Sequence, residues 1–301
     1  MKRTFPPISV WLATAILSAL VIFTSSFVLD VREGHGIFYR DFKDRMQNLE
    51  EHYQIAEEDK VVIIFGSSLT AMGVQHHDYF YERSQTETGQ PIHVFKVYMY
   101  SCSAADLQDL PDFFELAIRL KADLVCFEER LLAFNEYNPG MLHVPKWIER
   151  FSLRVEGVKE HLLLWAGKGL SDEPRTFDFF WKYHEETFGI DSTTFEPTAF
   201  NIRPYQHNKR VNQWLAKLRD TGTQVVMLNL PRPKVTEDAL ISARKEADFQ
   251  SFLKQYQENL DLEHWVYPEI IPYSHFTDAH LNRRGMERFS DWLFHQIKAA
   301  L

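Results

Sequence analysis

The sequence predicts an α/β fold, with about five parallel strands layered between helices and one transmembrane helix ahead of them. Three observations predict it. From residue 60 onward, short apolar runs alternate with longer amphipathic stretches, the pattern of a parallel sheet covered on both faces. The run "VVIIF", Val61 to Phe65, is apolar at every position and too short to be a helix, as a strand buried on both sides must be. Far ahead of it, after Lys2 and Arg3, the segment Ile8 to Leu29 contains no charged residue, and at about 1.5 Å per residue it is long enough to cross a hydrocarbon core of roughly 30 Å.

Composition narrows the partners. The chain has 301 residues, 45% hydrophobic and 14% aromatic, enough apolar mass to bury a full core. Its formal charge of −9, with no clustered basic segment, argues against a nucleic-acid partner. Cys102 and Cys126 are too few for a disulfide framework and read as small buried apolar residues. The run His76, His77 and Asp78 reads as surface or structure, because three adjacent side chains converge poorly on one ion. No cofactor and no metal are expected.

Taken in order, residues 1–30 form a cytoplasmic tip and an anchor. The basic pair before the span, against Asp30 and Glu33 after it, puts the N-terminus in the cytoplasm and the rest of the chain outside. In a bacterium that makes a single-pass inner-membrane protein with its main domain in the periplasm. A cleaved signal peptide is the alternative, but its apolar region is usually shorter and ends in a small-x-small site that "SSFVLD" does not offer. Residues 31–58 carry Phe38, Phe42, Met46, Leu49 and Tyr53 at spacings of four and three, an apolar stripe on a juxtamembrane helix. Such a stripe suits a stalk docked on the domain, or a surface for lipid or a partner.

The globular part is residues 59–301. Strands are predicted at Val61 to Phe65, His93 to Tyr98, Asp123 to Phe127, Gln224 to Leu230 and Glu263 to Tyr267. Helices are predicted around Ala104 to Leu120, Tyr205 to Asp220 and Glu237 to Asn259, with Gly222 closing one of them before its strand. The interval from about 131 to 203 is rich in Trp, Phe and His and is broken by Pro139, Pro145, Pro174 and Pro197. It reads as an insertion near the carboxyl edge of the sheet, where such segments shape substrate access.

Two stretches carry chemistry. "FGSSLTAMG" puts Ser67 and Ser68 on a strand-to-helix turn, beside the free N–H groups that open a helix. On its own, Gly-Ser-Ser is more often a helix cap than a nucleophile turn. Near the C-terminus stands "HFTDAHLNRRG", in which Asp278 precedes His280 by two residues. A serine that transfers acyl groups needs a base to take its proton and a carboxylate to hold that base in the right tautomer; His280 is the candidate base and Asp278 the orienter.

Together the two stretches resemble the SGNH/GDSL hydrolase superfamily, whose first block is G-D-S-L and whose last is D-x-x-H, often extended as H-L-N-x-x-G. The resemblance spans about residues 60 to 300. "GSSL" aligns with the first block, with Ser67 at the family's Asp position, which implies Ser68 as nucleophile. It also implies a three-layer, flavodoxin-like sheet. The Gly-Ser-Ser form behind a single anchor looks most like members tied to cell-envelope acylation, the DltD-like proteins of teichoic-acid D-alanylation and the proteins of exopolysaccharide O-acetylation.

The chain departs from the family pattern in three places. The family Asp lies three residues before His, where this chain has Thr277. The second block usually brings a Gly whose N–H enters the oxyanion hole, whereas "VYMYSCSAADL" has none, leaving Ser103 or a neighbour as donor. The third block usually brings an Asn, whereas "FEERLLAF" offers Glu128, Glu129 and Arg130. A carboxylate there repels an oxyanion, Arg130 stabilises one, and a structural Glu128–Arg130 ion pair is the alternative. The resemblance therefore implies an SGNH-type esterase or O-acyltransferase that forms an acyl-serine intermediate. It would act on an acylated envelope glycan or an acyl donor, with a multi-span membrane O-acyltransferase as a partner. A catalytically silent accessory subunit of such a system is the competing expectation.

Overall fold

The computed structural model describes residues 8–29, 45–49, 51–99, 102, 107, 111–133, 136–137, 201–202, 207–246, 248–277 and 279–301. The chain divides into two compact units, residues 1–43 with 142–175, and residues 44–141 with 176–301. In the first unit, α1 (Ile8–Leu29) is a helix of 22 residues. Ile8, Trp11, Leu17 and Val21 are all more than half exposed, and the Thr14 and Thr24 hydroxyls donate back to the carbonyls of Val10 and Leu20, at 2.8 and 2.6 Å. Side chains of α1 are described from Ile8 to Val21 and at Thr24, and among the described residues no helix is long and apolar enough to cross a membrane.

The second unit is built on β1 (Lys60–Gly66), α2 (Ser68–Gly73), α3 (His77–Thr88), β2 (Ile92–Tyr98), α4 (Asp112–Arg119), β3 (Leu124–Glu128), α5 (Glu129–Leu132), β4 (Glu136–Tyr137), β5 (Asn201–Ile202), α6 (Lys209–Asp220), β6 (Gln224–Asn229), α7 (Lys234–Glu246), α8 (Phe249–Leu260), β7 (Glu263–Val266) and α9 (Arg283–Ala300). The main sheet has the order β2-β1-β3-β6-β7, with every pairing parallel. All five strands lie where the sequence places them; β1 and β3, buried on both faces, carry the clearest apolar signature, while the edge strand β7 buries only Trp265. β4 and β5 pair antiparallel, Tyr137 against Asn201, at the two ends of the long interval that breaks the α/β alternation.

Alternate residues of β1 feed two cores. Val62 and Ile64 join Val94, Cys126 and Val226 beneath Phe80 of α3 and Phe289, Leu293 and Phe294 of α9. On the other face the Phe65 ring meets Phe113 of α4 at 4.9 Å and stacks on Phe127 at 5.3 Å, while Phe114 stacks on Trp214 of α6 at 5.6 Å. Three layers result. Cys102 and Cys126 are both buried, and neither forms a disulfide.

One helix was not expected, and one expected helix is divided. α3 is not anticipated by periodicity: it is polar and buries only Phe80 and Ser84. The single helix expected over Glu237 to Asn259 is two, parted where Asp248 takes a left-handed conformation at φ 54°, which a short polar side chain tolerates. Of the helix expected over Ala104 to Leu120, Leu107 and Asp112–Arg119 are helical, and residues 103–106 and 108–110 lie outside the described residues. Gly222 does close α6, at φ 85°. Of the predicted juxtamembrane stripe, Phe38 and Phe42 lie outside the described residues, Met46 and Leu49 are buried, and the Tyr53 ring lies 4.4 Å from His77 and 5.0 Å from Phe95.

This topology fixes where a site belongs. The chain leaves β1 for β2 on one side and then returns to β3 on the other, so β1 and β3 flank the switch point. In such sheets a crevice opens at the carboxyl ends of those two strands. Gly66, Ser67 and Ser68 follow one of those ends, and Glu128 closes the other.

Candidate active site

The turn after β1 is set by contact before it is set by chemistry. A Cβ on Gly66 would lie 1.7 Å from Thr70 Oγ1 and 2.6 Å from Glu128 Oε2, so only glycine lets α2 start so close to β3. Ser67 is fully buried and caps α2, its Oγ accepting from the Leu69 N–H at 3.3 Å. Its own hydroxyl and backbone N–H donate to Glu128, at 2.8 Å to Oε1 and 2.7 Å to Oε2, and the Thr70 hydroxyl donates to Oε2 at 2.8 Å. With Ser67 turned inward, Ser68 is left half-exposed as the first residue of α2.

The loop before α9 brings the base. Asn282 caps α9, its Oδ1 accepting from the N–H groups of Arg284 and Gly285 at 3.1 and 3.2 Å, and its Nδ2 donates to the Ser274 carbonyl at 2.9 Å. Leu281 is buried in the core and bridges antiparallel to Phe276. A Cβ on Gly285 would stand 2.5 Å from the His275 carbonyl oxygen, so glycine there lets the turn Tyr273–His275 close over the helix start. The "HLN..G" spacing is thus a core anchor, a cap and a close approach, and together they hold His280. The Thr277 N–H donates to the His280 carbonyl at 3.0 Å.

These two constructions meet. His280 Nε2 stands 3.0 Å from Ser68 Oγ, although the residues lie 212 positions apart in the chain. In the tautomer protonated on Nδ1, Nε2 accepts from the serine hydroxyl, the contact a general base makes with its nucleophile. Ser68 N–H, first in its helix, has no helical acceptor by position. Of the other residues singled out by sequence, Asp278 and Ser103 lie outside the described residues. Arg130 is half-buried in α5 at the end of β3.

The Glu-Glu-Arg run at the end of β3 is not what the sequence alone suggests. Among the described residues no ion pair joins Glu128 to Arg130; Glu128 is instead occupied by Ser67 and Thr70. Glu129 turns to the neighbouring strands, accepting from Asn229 Nδ2 at 3.0 Å and His264 Nε2 at 2.9 Å and pairing with Arg244. Burial alone would raise its pKa, yet Arg244, His264 and Asn229 outweigh burial and hold the carboxyl at about 2. Glu128 is the functional neighbour that sequence reasoning misreads. Its one signal was an acidic residue ending a buried strand next to the nucleophile strand, and that needs the β1–β3 register to be legible.

Among the described residues no group of three His, Cys, Asp or Glu side chains is placed to hold a metal ion. His77 instead hydrogen-bonds His93 and Asp78, and His93 bonds Asp59, each at 3.0 Å, in a structural chain on the opposite half of β2.

No protein-family model matches the chain, and no curated protein is similar to it. Among solved structures it is similar to a GDSL-like lipase from Bacteroides thetaiotaomicron, at 11% identity and TM-score 0.44 over 87% of this chain and 98% of that one. It is also similar to a protein from Bacteroides fragilis assigned as an acylhydrolase, at 12% and 0.43 over 86% and 97%. A catalytic mutant of an acetylxylan esterase from Geobacillus stearothermophilus is similar at 11% and 0.42, over 81% and 96%. The chemical reading stands on Ser68 and His280.

Proposed function

We propose that the protein is an SGNH-type serine acyl-esterase or O-acyltransferase, held to the bacterial inner membrane by α1 with its main domain in the periplasm, and acting on a cell-envelope polysaccharide. The observation that carries the reading is the 3.0 Å contact between His280 Nε2 and Ser68 Oγ at the carboxyl edge of the sheet. His280 takes the hydroxyl proton as Oγ attacks the acyl carbonyl, and the tetrahedral oxyanion forms beside the N–H groups that open α2. The imidazolium then protonates the departing sugar oxygen, leaving acyl-Ser68. Water or a second sugar hydroxyl, deprotonated by the same nitrogen, attacks the ester and regenerates the serine. Asp278 is assigned to hold the imidazole tautomer, and Arg130 and the Ser103 segment to the oxyanion.

The membrane and envelope parts of the reading rest on α1. Its 22 residues carry no charge, its described apolar side chains face outward, and its threonine hydroxyls are satisfied within the helix, as a lipid-facing segment requires. Residues 1–30, 31–58 and 59–301 then act as anchor, connecting helix and catalytic domain, and a multi-span O-acyltransferase is the partner such an arrangement suits.

A second reading, a catalytically silent accessory subunit, is favoured by one observation. The end of β3 presents a carboxylate, already spent on Ser67, where an oxyanion donor would help. The test is activity of the full-length protein on an acetylated polysaccharide. The enzyme reading expects acetate to appear in water or on an added sugar, and Ser68→Ala to abolish it; a folded wild type with no activity of its own, like Ser68→Ala, would favour the accessory reading.

A further inference from the structure

The helix that carries the nucleophile has only six residues, too few to hold its own form. Both of its ends are gripped from outside, and by opposite charges. Glu128, buried at the end of β3, takes the Ser67 N–H and the hydroxyls of Ser67 and Thr70 at the N-terminal end. Lys96, half-buried on β2 in register with Ile64, turns its Nζ onto the carbonyls of Ala71 and Val74 at the C-terminal end, at 2.9 and 2.7 Å. A negative group at a helix N-terminus and a positive one at its C-terminus each complement the peptide dipoles. β2 and β3 lie on either side of β1, so the two grips come from opposite flanks of the strand that feeds the helix.

We propose that Glu128 and Lys96 are positioning residues that fix α2 from both ends and thereby set the aim of Ser68 at His280. The inference rests on the serine-enzyme reading above. It reverses the expectation that a carboxylate beside this turn only opposes catalysis. The helix has little other freedom: Gly66 lies against Thr70 and Glu128, and a Cβ on Gly73 would meet Leu230 Cδ2 at 2.8 Å. What remains is rotation and slide about its axis, which the two charged contacts stop. A displacement of about 1 Å at a nucleophile can cost on the order of a hundredfold in rate. The surroundings agree with a strained cation at this place. Burial, with the charge of Arg45, brings the Lys96 ammonium down to about 7, and burial together with Lys96 brings His76 down to about 4.

The experiment is the acylation of Ser68 in the full-length protein by an activated acyl ester, read as a saturating rate and a half-saturation concentration. Lys96→Met and Glu128→Gln are expected to lower the saturating rate roughly tenfold to a hundredfold. The half-saturation concentration should stay within about twofold, and Lys96→Arg, which can still donate to both carbonyls, should restore most of the rate. Loss confined to half-saturation, unchanged rates, or a faster Glu128→Gln would overturn the inference while leaving the enzyme reading intact. If Lys96→Met or Glu128→Gln does not fold, Thr70→Val decides: removing one donor to Glu128 should give the same fall, and an unchanged rate overturns the inference. A wild type that is never acylated overturns the enzyme reading, and this inference with it.

Discussion

Ser67 and Ser68 differ by one position and have opposite fates. One is spent on Glu128 and on the helix cap; the other faces His280. The serine and histidine were legible in sequence because each sits in a short motif whose spacing is local. Glu128 was not, because its partners lie about 60 positions away and only the pairing of Phe65 with Phe127 brings them together. Glu129 shows the same limit. Its carboxyl is held at about 2 in the fold against an ordinary 4.5. That depression stabilises the fold fully above about pH 4.5, and the contribution is lost as pH falls from there towards 2. Glu129→Gln is expected to cost on the order of 3 kcal/mol at neutral pH, because Arg244 and His264 lose their buried anionic partner, and to flatten the acid limb over that window. Urea unfolding at a series of pH values checks both; an unchanged acid limb would show that the network carries no linkage.

Elements were legible in proportion to how completely they are buried. The central strands β1 and β3 carry buried apolar runs, while β7 buries only Trp265 and α3 buries one large residue and presents histidines, tyrosines and acids elsewhere, so no period marks α3. The loop into α9 is the opposite case, a sequence whose every letter has a structural use. Asn282 is its pivot, capping the helix and tying down the carbonyl of Ser274 within the Tyr273–His275 turn. Asn282→Ala should cost about 1 to 2 kcal/mol from the lost cap and also slow acylation of Ser68, because His280 is suspended between that cap and the Phe276–Leu281 bridge. Thermal unfolding and acylation rate measured on the same sample test it. A stability loss with an unchanged rate would mean that the cap serves the helix alone.

At the scale of the whole molecule, the order β2-β1-β3-β6-β7 creates the crevice, and the motifs at its rim specify the chemistry. The sheet was readable from periodicity; the switch point was readable only through the family resemblance, since strand order leaves no mark on a single sequence. The proposed anchor makes its own prediction. The full-length chain is expected to fractionate with membranes and to keep residues 1–30, as the mass of the mature protein will report; a mature chain beginning after Ser26 would identify a signal peptide instead. The central claim is that Ser68 is a nucleophile, and a covalent trace tests it most directly. After incubation of the full-length protein with a serine-reactive fluorophosphonate, peptide mass mapping should place one adduct on Ser68, absent in Ser68→Ala and strongly slowed in His280→Gln. A folded wild type that takes up no adduct at Ser68, or takes it up equally without His280, would contradict the account.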